Sequence, residues 1–280
     1  LKCLDHQINS YTRSDEHTMP AAKRPFNTLK TTTPGPLKFV SHRIEEYARQ
    51  VTYDPKNDAG KVIYNLTLIH SEDFEYSLKV LKDIYNVGIT VSDRVLFVPA
   101  GDRVDSFQIP EGFVGICTVC SVTLDALLLK RGVPLNPIGG GLLEIEGHIP
   151  RRFTSIIRFD QTTIDPTQVL SSQGTTSIIN VMRDGNGTIL ANMRETHMEA
   201  ESLVISVLDE LTQAGFTGIL ELGVPNTSLL GIGITSNYQG IAMNGGTNPI
   251  AAIHESGRYA RTVALKGLIE ISSMGTIPDY

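Results

Sequence analysis

The sequence predicts an α+β fold made of two related halves, each running roughly β-α-β-β-α-β with mixed or antiparallel pairing in its sheet. Three observations lead there. The segments Gly60-Lys-Val-Ile-Tyr-Asn65 and Asn86-Val-Gly88-Ile-Thr90 return 127 positions later as Gly187-Thr-Ile-Leu-Ala-Asn192 and Gln213-Ala-Gly215-Phe-Thr217. Gly115-Ile-Cys117 and Gly132 recur at an offset of 125 as Gly240-Ile-Ala242 and Gly257, and Gly141-Leu-Leu-Glu-Ile145 recurs at 126 as Gly267-Leu-Ile-Glu-Ile271. Within each copy, strand-like alternation gives way to helical spacing and back again.

Taken in order, Phe39, Ile44, Tyr47 and Val51 have helical spacing, with Ser41 placed to cap. Lys61 to Ile69 alternates Val62, Tyr64, Leu66 and Leu68 and reads as a strand. Ser71, followed by Glu72 and Asp73, opens a helix with Phe74, Leu78, Leu81 and Ile84 on one stripe and Gly88 past its end. Its second copy places Ile205, Leu208 and Leu211 on that stripe, with Gly215 after it. Short strands are expected at Ile89 to Val91, Val95 to Val98 and Phe113 to Val119, then a helix from about Leu124 to Arg131 and a strand Leu142 to Glu146. Asp165-Pro166 is an N-cap followed by proline, starting a helical segment that breaks at Gly174 and runs to about Met182, between the halves.

The chain has 280 residues, 41% hydrophobic and 19% charged, enough to bury a sizeable core in one or two domains. No apolar run approaches a spanning helix and no leader pattern opens the chain, so a soluble, cytosolic protein is expected. Leu1 in place of Met is expected of a fragment or processed product. Charge is uneven. Residues 1 to 50 carry eight Lys/Arg against five Asp/Glu, whereas 51 to 280 carry sixteen against twenty-five, so the body repels phosphate backbones and any nucleic-acid contact belongs to the N-terminal piece. Residues 1–38 lack sustained periodicity and end in a linker, Thr31-Thr-Thr-Pro-Gly-Pro36.

The richest site signal is Met243-Asn-Gly-Gly-Thr-Asn-Pro249, where Gly245 and Gly246 permit close backbone approach and Asn248 caps a helix beginning at Pro249. Free N–H groups and the positive end of the helix dipole there suit an anion held by Asn244, Gly245, Gly246, Thr247 and Asn248. The first copy offers hydroxyls instead, at Thr118, Ser121 and Thr123. Such turns also need these residue types for capping alone. A second glycine loop, Gly139-Gly140-Gly141, implies close backbone approach or strained dihedrals, and Arg158 beyond it, with Arg151 and Arg152, has the fork geometry carboxylates favour. Cys117 and Cys120 have redox spacing but no second cysteine pair or histidine at ligand spacing, so small buried hydrophobes are the default and no metal is expected. His197-Met-Glu199 lacks a second histidine four residues on, so a metalloprotease motif is absent.

The segments Val51-Thr-Tyr-Asp-Pro55, Gly60 to Asn65, Gly115 to Ser121, Gly132-Val-Pro-Leu-Asn-Pro137, Gly140-Gly-Leu-Leu-Glu-Ile145 and Ile189-Leu-Ala-Asn-Met-Arg-Glu195 together resemble the regulatory domain of the NrpR nitrogen repressors of archaea. The resemblance covers about Phe39 to Tyr280, in two halves of about 51–150 and 151–280. Leu1 to Asp5, Tyr11 to Asp15 and Arg24 to Leu29 are similar to the end of a recognition helix and the wing of a winged-helix domain, most of which is missing. The resemblance implies a cytoplasmic, homodimeric repressor of nitrogen-assimilation genes that senses 2-oxoglutarate and then releases DNA. It implies no cofactor, and DNA contact only through a complete winged-helix domain or a partner chain. Each half would bind one carboxylate of the effector. The competing classes are a small-carboxylate or thiol-dependent enzyme using Cys117 or Cys120, and a ligand-free dimerisation module.

Overall fold

A computed structural model describes residues 37–280, and the winged-helix expectation for residues 1–38 falls almost wholly outside them. Residues Lys38–Tyr280 form one compact unit. Its elements are α1 (Val40–Ala48), β1 (Lys61–His70), α2 (Phe74–Asn86), β2 (Arg94–Val98), β3 (Arg103–Val104), β4 (Phe107–Gln108), β5 (Phe113–Val119), α3 (Val122–Lys130), β6 (Asn136–Glu146) and β7 (Ile149–Arg158). They continue with α4 (Pro166–Ser172), α5 (Ile178–Asp184), β8 (Gly187–His197), α6 (Glu201–Gln213), β9 (Ile219–Leu222), β10 (Tyr238–Asn244), α7 (Asn248–Glu255), β11 (Ala260–Glu270) and β12 (Gly275–Thr276). The class is α+β, and every strand pair is antiparallel.

The two copies are interlocked. The larger sheets run β11-β1-β5-β2-β12 and β7-β6-β8-β10-β9. The last long strand of the first copy, β6, therefore pairs with the first strand of the second, β8, while β11 of the second copy pairs with β1 of the first. The helices are exchanged in the same way, with α2 packing on α7 and α3 on α6. Two large apolar clusters result, and both mix the copies: Leu124 and Leu128 with Val204 and Leu211, and Leu81 and Ile84 with Ile250 and Ile253. At about 25 cal/mol per Å² of apolar surface, burial on this scale ties the halves into one cooperative body. Helices α1 and α4 also stand in equivalent places, α1 against α3 and α4 against α7, so the duplication reaches back to a helix at the head of each copy.

Several local expectations are corrected. Helix α1 buries Val40, Ile44 and Ala48, leaves Phe39 exposed, and takes no cap bond from Ser41; Val51 lies beyond its end. In α6 the buried stripe is Val204, Val207 and Leu211, and Ile205 is exposed. That stripe matches Ser77, Val80 and Ile84 of α2, one helical step from the set read off the repeat. Ile89 to Val91 is not a strand: the Ile89 and Thr90 carbonyls accept from side-chain amides of the other half, and the Val91 carbonyl accepts a single main-chain bond from Thr217 N–H rather than forming a ladder. The three glycines are not a loop but lie inside β6, paired on both sides, with Gly139, Gly140 and Gly141 opposite Arg158, Ile157 and Ile156 on β7 and Met193, Asn192 and Ala191 on β8. None has a positive φ. A Cβ on Gly141 would lie 2.0 Å from the Ser155 carbonyl oxygen, so close approach of the edge strand is what excludes a side chain. Asp165 does cap α4, accepting from the N–H of Thr167 at 2.9 Å and of Gln168 at 3.1 Å, and Gly174 (φ 64°) ends the segment.

Candidate functional site

The strand-to-helix turns after β5 and β10 occupy repeat positions in the two copies, and each is held by the first strand of its own half and by an asparagine from the other. Asn65 on β1 donates to the Gly246 carbonyl at 3.4 Å, and its repeat partner Asn192 on β8 donates to Ser121 Oγ at 3.2 Å. The Cys120 N–H donates to Ile63 O at 2.9 Å, and the Gly245 N–H donates to Leu190 O at 2.8 Å. Thr123 Oγ1 accepts from Ile63 N–H at 3.1 Å, while Asn248 Oδ1 accepts from Leu190 N–H at 2.9 Å. Leu265 lies in a bulge of β11 opposite Asn65, has φ 50°, an unusual conformation for leucine, and donates its N–H to Asn65 Oδ1 at 3.2 Å.

These contacts locate the residues singled out from sequence. Thr118 Oγ1 donates to Gly246 O at 3.4 Å. Asn244 donates to the carbonyl groups of Gly88 and Thr90, both at 3.1 Å, and Asn248 to Ile89 O at 3.3 Å and Leu190 O at 3.0 Å. Asn248 is thus not the cap of α7; Thr247 is the N-cap residue, and it makes no side-chain cap bond. The Asn244 amide clamps main chain of the other half, while Asn248 bridges Ile89 of the other half and Leu190 of its own; the amide N–H groups are thereby used within the protein, and the buried Asn244 Oδ1 has no partner among the described residues. Gly139, Gly140 and Gly141 are buried in β6. Arg158 projects from the exposed edge strand β7 and pairs with Asp160 at 3.1 Å, away from both turns, and that pairing raises its pKa and lowers that of Asp160. The structure brings Ser121, Gly246 and Thr247 together and leaves Arg158 apart.

The turns enclose a cavity of about 20 Å³, bounded also by Cys120, Asp165, Thr167 and Arg194. That is room for roughly one water molecule. Arg194 is 1% exposed and forms a two-pronged ion pair with Asp125 of α3, at 2.6 and 3.3 Å, beneath the Phe159 ring, whose centroid lies 4.9 Å from the guanidinium carbon. Sequence reading missed this pair because an Arg on one strand and an Asp on a helix 69 residues away carry no joint pattern.

A wider cavity of about 580 Å³ opens on the far side of Thr247, between α4, α7 and the start of β11. Its lining includes Arg258, Arg261 and His254, with no Asp or Glu among the lining residues. Arg258 is held by Asp73 at 2.9 Å and by Ser256 Oγ at 3.2 Å, and it lies 3.6 Å from the centroid of the Tyr76 ring. Thr247 lines both cavities, is 3% exposed, and its hydroxyl has no hydrogen-bond partner among the described residues. The sequence signal that marks this groove is Arg258-Tyr-Ala-Arg261 after the glycine that ends α7.

Cys117 and Cys120 are buried, and burial pushes each thiol up to about 12. Such thiols are protonated near neutrality and poor nucleophiles. Among the described residues no group of three or more His, Cys, Asp or Glu side chains is placed to hold a metal ion, and no helix is long and apolar enough to cross a membrane.

A family model described as NrpR regulatory domains NRD1 and 2 matches residues 37–276. The global nitrogen regulator NrpRI of Methanosarcina mazei is 36% identical over 239 residues, covering 85% of this chain and 73% of that protein. The global nitrogen regulator NrpR of Methanocaldococcus jannaschii is 32% identical over 244 residues, covering 87% of this chain but 40% of that protein. The crystal structure of a nitrogen repressor-like protein from Methanococcus jannaschii is similar with a TM-score of 0.74 and 28% identity, covering 86% of this chain and 100% of that one.

Proposed function

Because the chain belongs to the NrpR regulatory-domain family, we propose that it is the effector-sensing domain of an archaeal repressor of nitrogen-assimilation genes, with 2-oxoglutarate as inducer. The observation that carries this reading is the reciprocal grip of the two turns, Asn65 on Gly246 and Asn192 on Ser121, at the junction of interlocked halves. Within this one interlocked body, the turns joined by that repeated pair of polar contacts can shift between discrete arrangements, and a ligand with different affinity for each shifts the balance. Coupling of about 1–3 kcal/mol, a factor of roughly 5 to 150, is typical of such linkage.

The domain acts in the cytoplasm as a homodimer, and DNA is contacted through a complete winged-helix domain, in this protein or in a partner chain, since the acidic body repels phosphates. The protonated, buried thiols favour a binding role over a thiol-dependent reaction. Calorimetric titration with 2-oxoglutarate, with glutamate and glutamine as controls, tests the reading. Saturable binding selective for 2-oxoglutarate supports it. A chain that dimerises yet responds to none of the three is a ligand-free dimerisation module.

A further inference from the structure

We infer that the groove between α4, α7 and the start of β11 is the effector site, that it takes a small dicarboxylate, and that Arg261 and the Thr247 hydroxyl contact it. This rests on the effector-sensing reading and gives it a location. Four observations lead there. The groove is lined by two arginines, Arg258 and Arg261, and by no carboxylate, in a body whose residues 51 to 280 carry sixteen Lys/Arg against twenty-five Asp/Glu. Glu255 is turned elsewhere, capping α5 through the N–H groups of Ile178 and Ile179 at 2.8 and 2.9 Å, while Asp73 pairs with Arg258 and leaves Arg261 as the groove's uncommitted cation among the described residues. Arg261 is exposed on β11 and has no ion-pair partner among the described residues. The Thr247 hydroxyl is a buried polar group with no partner, which normally costs stability, so a ligand oxygen at the groove is what would satisfy it.

The first copy provides a contrast. The cavity of about 220 Å³ between its α1 and α3 is lined by Glu45 and Asp125 as well as Arg49, and Val133 and Asn136 stand at the repeat positions of Arg258 and Arg261. The copies have therefore diverged where charge is concerned, and one effector per chain is expected rather than one carboxylate per half. Thr247 lies next to Gly246, whose carbonyl receives Asn65 and Thr118 of the first half. Filling the groove pulls on the same turn that joins the halves. A cavity of about 580 Å³ lies in the range usual for small-molecule sites, roughly 300–1,000 Å³, whereas about 20 Å³ at the junction does not.

The test is calorimetric titration of the full chain and its R261Q, T247V and R183Q variants with 2-oxoglutarate, and with succinate as a second dicarboxylate. Arg183 lies away from the groove, paired with Asp184. R261Q is expected to weaken 2-oxoglutarate binding by about tenfold or more, T247V by several-fold, and R183Q by less than about twofold. If the wild type binds 2-oxoglutarate and both groove variants match it, the groove is overturned while the effector reading stands. If the wild type ignores 2-oxoglutarate but binds succinate in an Arg261-dependent way, the groove is supported and the effector identity fails. If neither ligand binds the wild type, both are overturned.

Discussion

Replacing Asp125 by leucine removes the carboxylate from the buried pair with Arg194 while keeping a side chain of similar size. The two side chains are 1% and 6% exposed, so water cannot replace the lost partner. Arg194 keeps only the Met193 carbonyl at 3.3 Å and the face of Phe159. Removing one member of a buried ion pair costs about 3–5 kcal/mol, because the remaining charge stays desolvated. For a body of this size each kcal/mol shifts Tm by about 2–4 °C, so D125L is expected to melt roughly 6–20 °C lower. The companion variant D125L/R194M replaces both charges with apolar groups and is expected near wild-type stability or above it, since the charges no longer have to be buried. Urea unfolding followed by circular dichroism, with R194M as the fourth species, gives the four free energies and closes the cycle. A D125L cost below about 1 kcal/mol would refute the reasoning, because it would mean that Arg194 finds solvent the burial denies it. A double variant as unstable as D125L would refute it differently, by showing that packing rather than charge was lost.

Two further outcomes follow from packing and burial. Alanine at Gly141 must displace the Ser155 carbonyl, from which its Cβ would lie 2.0 Å, and at Gly139 the Ile157 carbonyl at 2.6 Å, whereas at Gly140 its nearest neighbours are side-chain atoms, Asn192 Oδ1 at 3.0 Å and Pro166 Cβ at 3.2 Å; urea midpoints should show losses of about 1–3 kcal/mol for the first two and less for the third, and equal effects at all three would contradict the close-approach account. The thiols of Cys117 and Cys120 are raised in the folded state from 9.0 to about 12, so they favour folding fully below pH 9, and this contribution is lost as pH rises from 9 towards 12 and the unfolded chain ionises first. A C117V/C120V variant should lose less stability than wild type over that interval, and parallel pH curves would show that the thiols are not protonated by burial.

The halves and their element order were legible because the repeat preserves local information: strand alternation at Lys61 to Ile69, the helix start at Ser71 to Asp73, the capped proline at Asp165-Pro166. Family membership was legible for the same reason, since short segments such as Gly115 to Ser121 keep their residues in order. Errors of one helical step, as at Ile205, arose where both sides of a helix carry apolar residues and only packing selects the buried one. The glycine triplet was legible as close approach but not as strand, because glycine's lack of a side chain serves a loop and a crowded ladder equally well.

By itself the sequence determined the α+β class, the duplication and most helix and strand positions, which depend on periodicities of a few residues. Only the tertiary structure decided which strands pair. β6 and β11 are similar enough in pattern to pair with the first strand of either copy, so the exchange is settled by packing of both halves at once. The same holds for chemistry: Asn244 and Asn248 look like turn and cap residues until the main chain they clamp is brought up from the other half. The groove of Arg258 and Arg261 is assembled only when Glu255 is turned to the start of α5 and Asp73 is brought up to Arg258, and no local pattern in the chain encodes that.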